Sequence, residues 1–199
     1  VMADFEKTGT RAYVFGYEES YGYNVETEVR DKDGVSAAAM CAEMTLYWRS
    51  KGKSLLDRLN ELYIAHGYFE ERAISKGFPG ASGGETMKAL MARLRSEGLK
   101  SVGGKKVVSI RDVKEGTIYN PEHPAKKEKI TLPSSNVLQF YLEDGTVLSA
   151  RPSGTEPKIK FYVSCPVAVT GKDVTAARKA AGTVLSAIET EIRSILDKA

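Results

Sequence analysis

Arg151-Pro152-Ser153-Gly154-Thr155-Glu156-Pro157-Lys158 sets a guanidinium, two hydroxyls, a glycine and an ammonium around two prolines. Proline fixes its own φ and drives the residue before it toward extended geometry. Arg151 and Glu156 are therefore expected to be extended, with a tight loop between them. Apolar runs that read as strands flank the stretch, Thr146 to Ala150 before it and Ile159 to Cys165 after it. Gly154 permits a left-handed or close-approach backbone. In such a turn successive N–H groups can converge on one anion. Ser153 and Thr155 add hydroxyl donors, and Arg151 adds a bidentate fork. The competing reading is an ordinary turn with solvated polar groups, because Ser-Gly pairs mark turns generally. The convergence of donors favours a phosphate dianion. The glycine spacing and the strand that follows exclude a Walker loop or a dinucleotide fingerprint.

Working outward, Asp144-Gly145 between two alternating apolar runs is a strong hairpin signal. It joins a strand over 136–143, with Leu138, Phe140 and Leu142 on one face, to the strand over 146–150. A long helix is expected over 172–197, with Val174, Ala177, Ala181, Val184, Leu185, Ile188, Ile192 and Ile195 as its buried stripe. Upstream, 68–76 reads as a strand, 85–96 as a helix and 106–113 as a strand. The polar, proline-punctuated stretch 114–133 reads as a surface excursion, and its cluster of Lys126, Lys127 and Lys129 as a solvated loop. The order strand, helix, antiparallel strands, helix predicts a two-layer α+β domain over 67–199 with helices on one face of the sheet.

The first 66 residues read differently. Arg11 to Gly16 is expected to be a short buried strand. Helices are expected over 35–50, capped by Asp33 or Ser36, and over 54–66, capped by Ser54 and stopped at Gly67. Between them lies Tyr17-Glu18-Glu19-Ser20-Tyr21-Gly22-Tyr23. Its carboxylates, hydroxyl and aromatic rings suit a polyol, but a solvated loop with packed tyrosines fits the same residues. His66 reads as a helix-end residue and His123 as a loop residue.

The chain has 199 residues, 42% hydrophobic and 28% charged, with a formal net charge of +3. That balance argues against a nucleic-acid partner. The longest apolar-leaning run, Ala37 to Trp48, is too short to span a bilayer. Cys41 and Cys165 have no metal-ligand spacing and read as small buried thiols, which fits a reducing cytoplasm. The start at Val1-Met2, running almost at once into a strand-like stretch, leads us to expect a piece of a longer protein.

Two motifs carry a family resemblance. Arg-Pro-Ser-Gly-Thr-Glu-Pro-Lys resembles the phosphate-binding loop in the last domain of the phosphohexomutases, the phosphoglucomutase and phosphomannomutase family. Gly16-Tyr17-Glu18-Glu19-Ser20-Tyr21-Gly22 resembles the sugar-recognition loop of that family's third domain. The resemblance implies that 1–66 is the C-terminal part of an α/β third domain and that 67–199 is a TATA-binding-protein-like last domain. It implies sugar contacts from Glu18 and Ser20, with Lys32 of Arg30-Asp31-Lys32-Asp33-Gly34 on the same side. It implies phosphate contacts from Arg151, Ser153, Gly154 and Thr155, with Lys158 or Lys160 adding charge. The expected ligands are glucose 1-phosphate, glucose 6-phosphate and mannose phosphates, and the expected partner is the remaining N-terminal part of the same protein.

Family members move a phosphoryl group between the 1- and 6-positions of a hexose through a phosphoserine and a Mg2+ held by aspartates. Neither a Ser-His-Asn nucleophile loop nor an Asp-x-Asp-x-Asp run occurs in this sequence. The fragment is therefore expected to bind sugar and phosphate, hold no metal and perform no chemistry. The alternative is a stand-alone phosphosugar-binding module without catalysis.

Overall fold

The computed structural model describes residues 6–18 and 21–199. The chain divides into two compact units, Val1–Glu61 and Leu62–Ala199.

In the first unit β1 (Gly16–Glu18) and β2 (Gly22–Asn24) form an antiparallel ribbon in which Glu18 faces Gly22. Residues 11–15, expected to be a strand, take no regular structure. Val14 is 81% exposed there, so the apolar run Tyr13-Val14-Phe15 has no sheet to enter. Helix α1 (Gly34–Ser50) begins where the Asp33 carboxylate accepts from the Val35 and Ser36 amides at 3.0 Å, satisfying two of the amides that a helix start leaves unpaired. Helix α2 (Leu55–His66) opens with a reciprocal cap. Ser54 Oγ accepts from the Asp57 amide at 3.1 Å, and Asp57 accepts from the Ser54 amide at 2.8 Å. It stops at Gly67, whose φ of 96° only glycine adopts freely. Neither helix contains a buried residue, and Val35, Met40, Leu46, Tyr47 and Leu56 are exposed.

The second unit is a single antiparallel sheet. Its strands are β3 (Tyr68–Gly77), β4 (Ser101–Val102), β5 (Lys105–Asp112), β6 (Thr117–Tyr119), β7 (Lys127–Lys129), β8 (Leu138–Leu142), β9 (Val147–Pro152) and β10 (Lys158–Val167). The order across the sheet is β3-β10-β9-β8-β5-β6-β7, with β4 paired to β5. Strict alternation sends Ile159, Phe161, Val163 and Cys165 of β10 inward and leaves Lys158, Lys160, Tyr162 and Ser164 on the other face. Helices α3 (Gly83–Glu97) and α4 (Thr175–Asp197) bury Leu90, Met91, Leu94, Ala177, Ala181, Leu185, Ile188, Ile192 and Leu196 in the same cluster as those inward strand residues. Both helices therefore cover one face, and the other stays open.

Two further expectations change. The stretch 114–133 is more than an excursion, because it folds back as the β6–β7 ribbon and extends the sheet by two strands. Cys41 is exposed, whereas Cys165 is buried as expected.

Salt bridges tie α4 to the edge strand β3. Arg72 reaches Glu189 at 2.9 Å, and Lys76 reaches Asp197 at 2.6 Å.

Candidate phosphate and sugar sites

The phosphate-loop residues stand at the β9–β10 end of the open face. The strands run to Pro152 and resume at Lys158, so the loop proper is Ser153 to Pro157. It is closed by the Ser153 amide donating to the Lys158 carbonyl at 2.8 Å and anchored by the Phe78 amide on the Pro157 carbonyl at 2.7 Å. Ser153 Oγ accepts from the Thr155 and Glu156 amides at 3.4 and 3.3 Å. These are long bonds. The serine oxygen thus sits where those two donors point, as an anion oxygen would.

Arg151 and Lys160 are direct cross-strand partners. Lys158 lies two residues from Lys160 and so projects from the same face. None of these three cations forms an ion pair among the described residues. Lys160 Nζ instead lies 5.8 Å from the centre of the Tyr162 ring. Along the same open face, Gln139 donates to Ser149 Oγ at 3.0 Å and Tyr141 to Gln139 Oε1 at 3.3 Å.

Gly154 departs from expectation. Its backbone lies outside the left-handed region, and a Cβ added there would meet nothing within 4 Å. The loop therefore does not need glycine for its own conformation. What a side chain would obstruct is the space outside the loop.

In the first unit a cavity of about 260 Å³ is lined by Glu18, Lys32, Tyr17, Tyr23, Asn24 and Arg30, among others. Ser20 lies outside the described residues, while Glu18 and Lys32 are brought together. Gly22 makes this possible, because a Cβ there would stand 2.2 Å from Lys32 Cδ and 2.8 Å from Glu18 Cγ. The Asp31 carboxylate, hydrogen-bonded to Lys32 at 2.9 Å, raises the Lys32 pKa, and Glu18 adds to the shift. The same contact lowers the Asp31 pKa. Tyr21, next to Gly22, holds φ of 64°, a conformation that costs a non-glycine residue about 1–3 kcal/mol.

Asn24 is the residue that sequence reading missed. Its Nδ2 donates to the carbonyls of Val29 at 2.6 Å and Asp31 at 2.9 Å, pinning the segment that carries Lys32. Its Oδ1 is buried without a partner. A lone asparagine after Gly-Tyr gives no periodic signal by which to find it.

Among the described residues, no group of three or more His, Cys, Asp or Glu stands close enough to hold a metal ion. Asp31 is paired with Lys32, and Asp33 caps α1. No described helix is long and apolar enough to cross a membrane.

The second unit is thus a helix-backed antiparallel sheet with a cationic serine-glycine loop at the end of its open face. The family model described as phosphoglucomutase/phosphomannomutase, C-terminal domain, matches residues 89–181, and that of the alpha/beta/alpha domain III matches residues 1–65. The chain belongs to the phosphoglucomutase/phosphomannomutase family and carries the end of domain III followed by domain IV. A phosphoglucomutase of Staphylococcus haemolyticus is 36% identical over 162 residues, covering 81% of this chain and 29% of the relative. That of Staphylococcus saprophyticus is 31% identical over the same shares. The chain thus spans under a third of the length of these curated relatives. The solved open form of the Paramecium exocytosis-sensitive phosphoprotein pp63/parafusin, a phosphoglucomutase, aligns with a TM-score of 0.49 at 16% identity. The alignment covers 94% of this chain and 32% of that one.

Proposed function

We propose that this chain is the substrate-gripping C-terminal part of a phosphohexomutase that interconverts hexose 1-phosphates and 6-phosphates through a phosphoserine enzyme. In this reading Arg151, Ser153, Gly154, Thr155, Lys158 and Lys160 hold the phosphate that is not being transferred. Glu18 and Ser20 accept from and donate to sugar hydroxyls, and Lys32 adds charge beside them. Transfer belongs to residues beyond this chain, which offers no serine nucleophile loop and no aspartate run for Mg2+. The metal supplies charge neutralisation to phosphoryl transfer when bound in such enzymes. No described residues are grouped so as to hold it.

The observation that carries the reading is the opposed pair Arg151 and Lys160, with Lys158 beside it and no carboxylate among the described residues paired to any of the three. Like charges placed directly opposite on a sheet destabilise it. An arriving dianion removes that repulsion and gains charge-assisted hydrogen bonds.

Titration calorimetry with inorganic phosphate and with glucose 6-phosphate tests the assignment. Arg151→Ala should weaken both ligands about ten- to a hundredfold, from a charge-assisted bond of roughly 1.5–3 kcal/mol. Glu18→Ala should leave inorganic phosphate alone and reduce discrimination among phosphosugars. Phosphate binding by Arg151→Ala equal to that of the wild type would overturn the loop assignment. A coupled mutase assay on the 199-residue chain should show no turnover at any Mg2+ concentration. Turnover by enzyme free of contaminants would contradict the division of labour.

A further inference from the structure

A second cavity lies on the helix-covered side of the sheet, with Pro152, at the root of the phosphate loop, on its rim. It has a volume of about 600 Å³, within the range that holds a whole small molecule. Helix α3 gives it the thioethers of Met87 and Met91, and β6 gives it the ring of Tyr119, which is half-buried. Thioethers and aromatic rings attract one another, and both adapt to a flat apolar guest.

The polar groups of this cavity fall into two sets. One set is spent internally. Asp112, only 5% exposed, accepts from Arg95 Nε at 2.9 Å and from the Lys114 and Glu115 amides at 3.1 and 3.3 Å. The same Arg95 donates to Asn136 at 2.5 Å, and Lys88 is paired with Glu85 at 2.8 Å. The other set is uncommitted. The ammonium groups of Lys114 and Lys127 have no ion-pair partner among the described residues. Lys127 Nζ stands 5.4 Å from the centre of the Tyr119 ring. The Tyr119 hydroxyl has no described hydrogen-bond partner, and burial followed by the Asp112 charge raises its pKa, so it remains a donor. Glu115 is the one lining carboxylate left over against these two cations.

We propose that this cavity is a second binding site, separate from the phosphate loop, for an aromatic small molecule bearing one anionic group. The ring lies between the Met87 and Met91 thioethers and Tyr119. The anion meets Lys114 and Lys127, with the Tyr119 hydroxyl as a third donor. The slot, and not the charge alone, defines the ligand. Pro152 lines the cavity and leads directly into Ser153, so a guest here touches the root of the phosphate loop without occupying it.

The test uses the full chain labelled with 13C at the methionine methyls and titrated with naphthalene-1-sulfonate. Met87 and Met91 should shift along one saturable isotherm. Met40 and Met44, on exposed α1, should not follow it. The neutral analogue 1-naphthalenemethanol should bind at least about tenfold more weakly, the equivalent of about 1.4 kcal/mol. The double variant Lys114→Gln, Lys127→Gln should weaken the sulfonate by at least about the same factor. It should leave the neutral analogue unchanged, which also shows that the cavity is intact. Arg151→Ala should leave naphthalene-1-sulfonate binding unaltered, so a failed phosphate loop and a failed cavity give different results. The proposal is overturned if the Met87 and Met91 methyls do not respond, if the double variant binds the sulfonate like wild type, or if saturating inorganic phosphate displaces the probe.

Discussion

Replacing Lys160 by glutamine removes one of the two positive charges that β9 and β10 hold directly opposite each other. Residues facing across a ladder have Cβ atoms about 4.5–5.5 Å apart, and such pairs act at the level of about 0.2–1 kcal/mol. No described carboxylate offsets the repulsion between Arg151 and Lys160. The free chain should therefore gain roughly that amount of stability, or about 1–3 °C in melting temperature for a unit of this size. Glutamine keeps the half of the lysine stem nearest the strand, so packing there changes little. The gain should shrink between 10 mM and 1 M salt, as the screening length falls from about 30 Å to about 3 Å. Phosphate affinity should move the other way. Loss of one charge-assisted bond, roughly 1.5–3 kcal/mol, weakens binding by ten- to more than a hundredfold. In saturating phosphate the wild type, stabilised by ligand linkage, should become the more stable of the two. Scanning calorimetry at two salt concentrations, with and without phosphate, reads all of this. A variant less stable than wild type at low salt and equally tight for phosphate would refute the argument, because the pair would then be structural.

Gly83→Ala and Gly154→Ala should separate fold from ligand. A Cβ at Gly83 would stand 1.9 Å from the Phe78 carbonyl oxygen, so that variant should lose several degrees of melting temperature, whereas Gly154→Ala should melt like wild type and bind phosphate more weakly. Arg193 and then Arg72 hold the Glu189 carboxyl below its usual range. A carboxylate lowered by folding stabilises above its unfolded pKa, and that contribution is lost as pH falls through the folded one. Arg72→Met should therefore flatten the loss of stability below about pH 4, and urea midpoints that fall in parallel for both proteins would remove Arg72 from the account. Amide exchange should be faster in α1 and α2, which bury no residue, than in β8–β10, and equal protection in a proven monomer would contradict this.

The second unit was readable because its strands alternate. Leu138, Phe140 and Leu142 announce one face, Asp144-Gly145 announces the hairpin, and the α4 stripe runs at helical spacing to Ile192. The β6–β7 ribbon was not readable, because Lys127-Glu128-Lys129 is wholly exposed and carries no apolar face to detect. The strand expected at 11–16 rested on an apolar run alone, and such a run cannot report whether a neighbouring strand is present. For the phosphate loop, composition gave the cluster of cations but not the use of Gly154, whose φ depends on how Ser153 and Lys158 close the turn. Glu18 and Lys32 lie fourteen positions apart, and only the missing side chain of Gly22 brings them together.

The two-sided character of β8, β9 and β10 has an evolutionary consequence. Along these strands, buried residues of the helix-side cluster alternate with residues of the open face, so the two sets of positions can drift independently. Exchanges at Gln139, Ser149, Tyr162 or Lys160 alter the chemistry of the open face and leave Phe140, Leu148 and Phe161 undisturbed. A lineage could thus change the character of that face by single substitutions, without first accumulating compensating mutations in the interior.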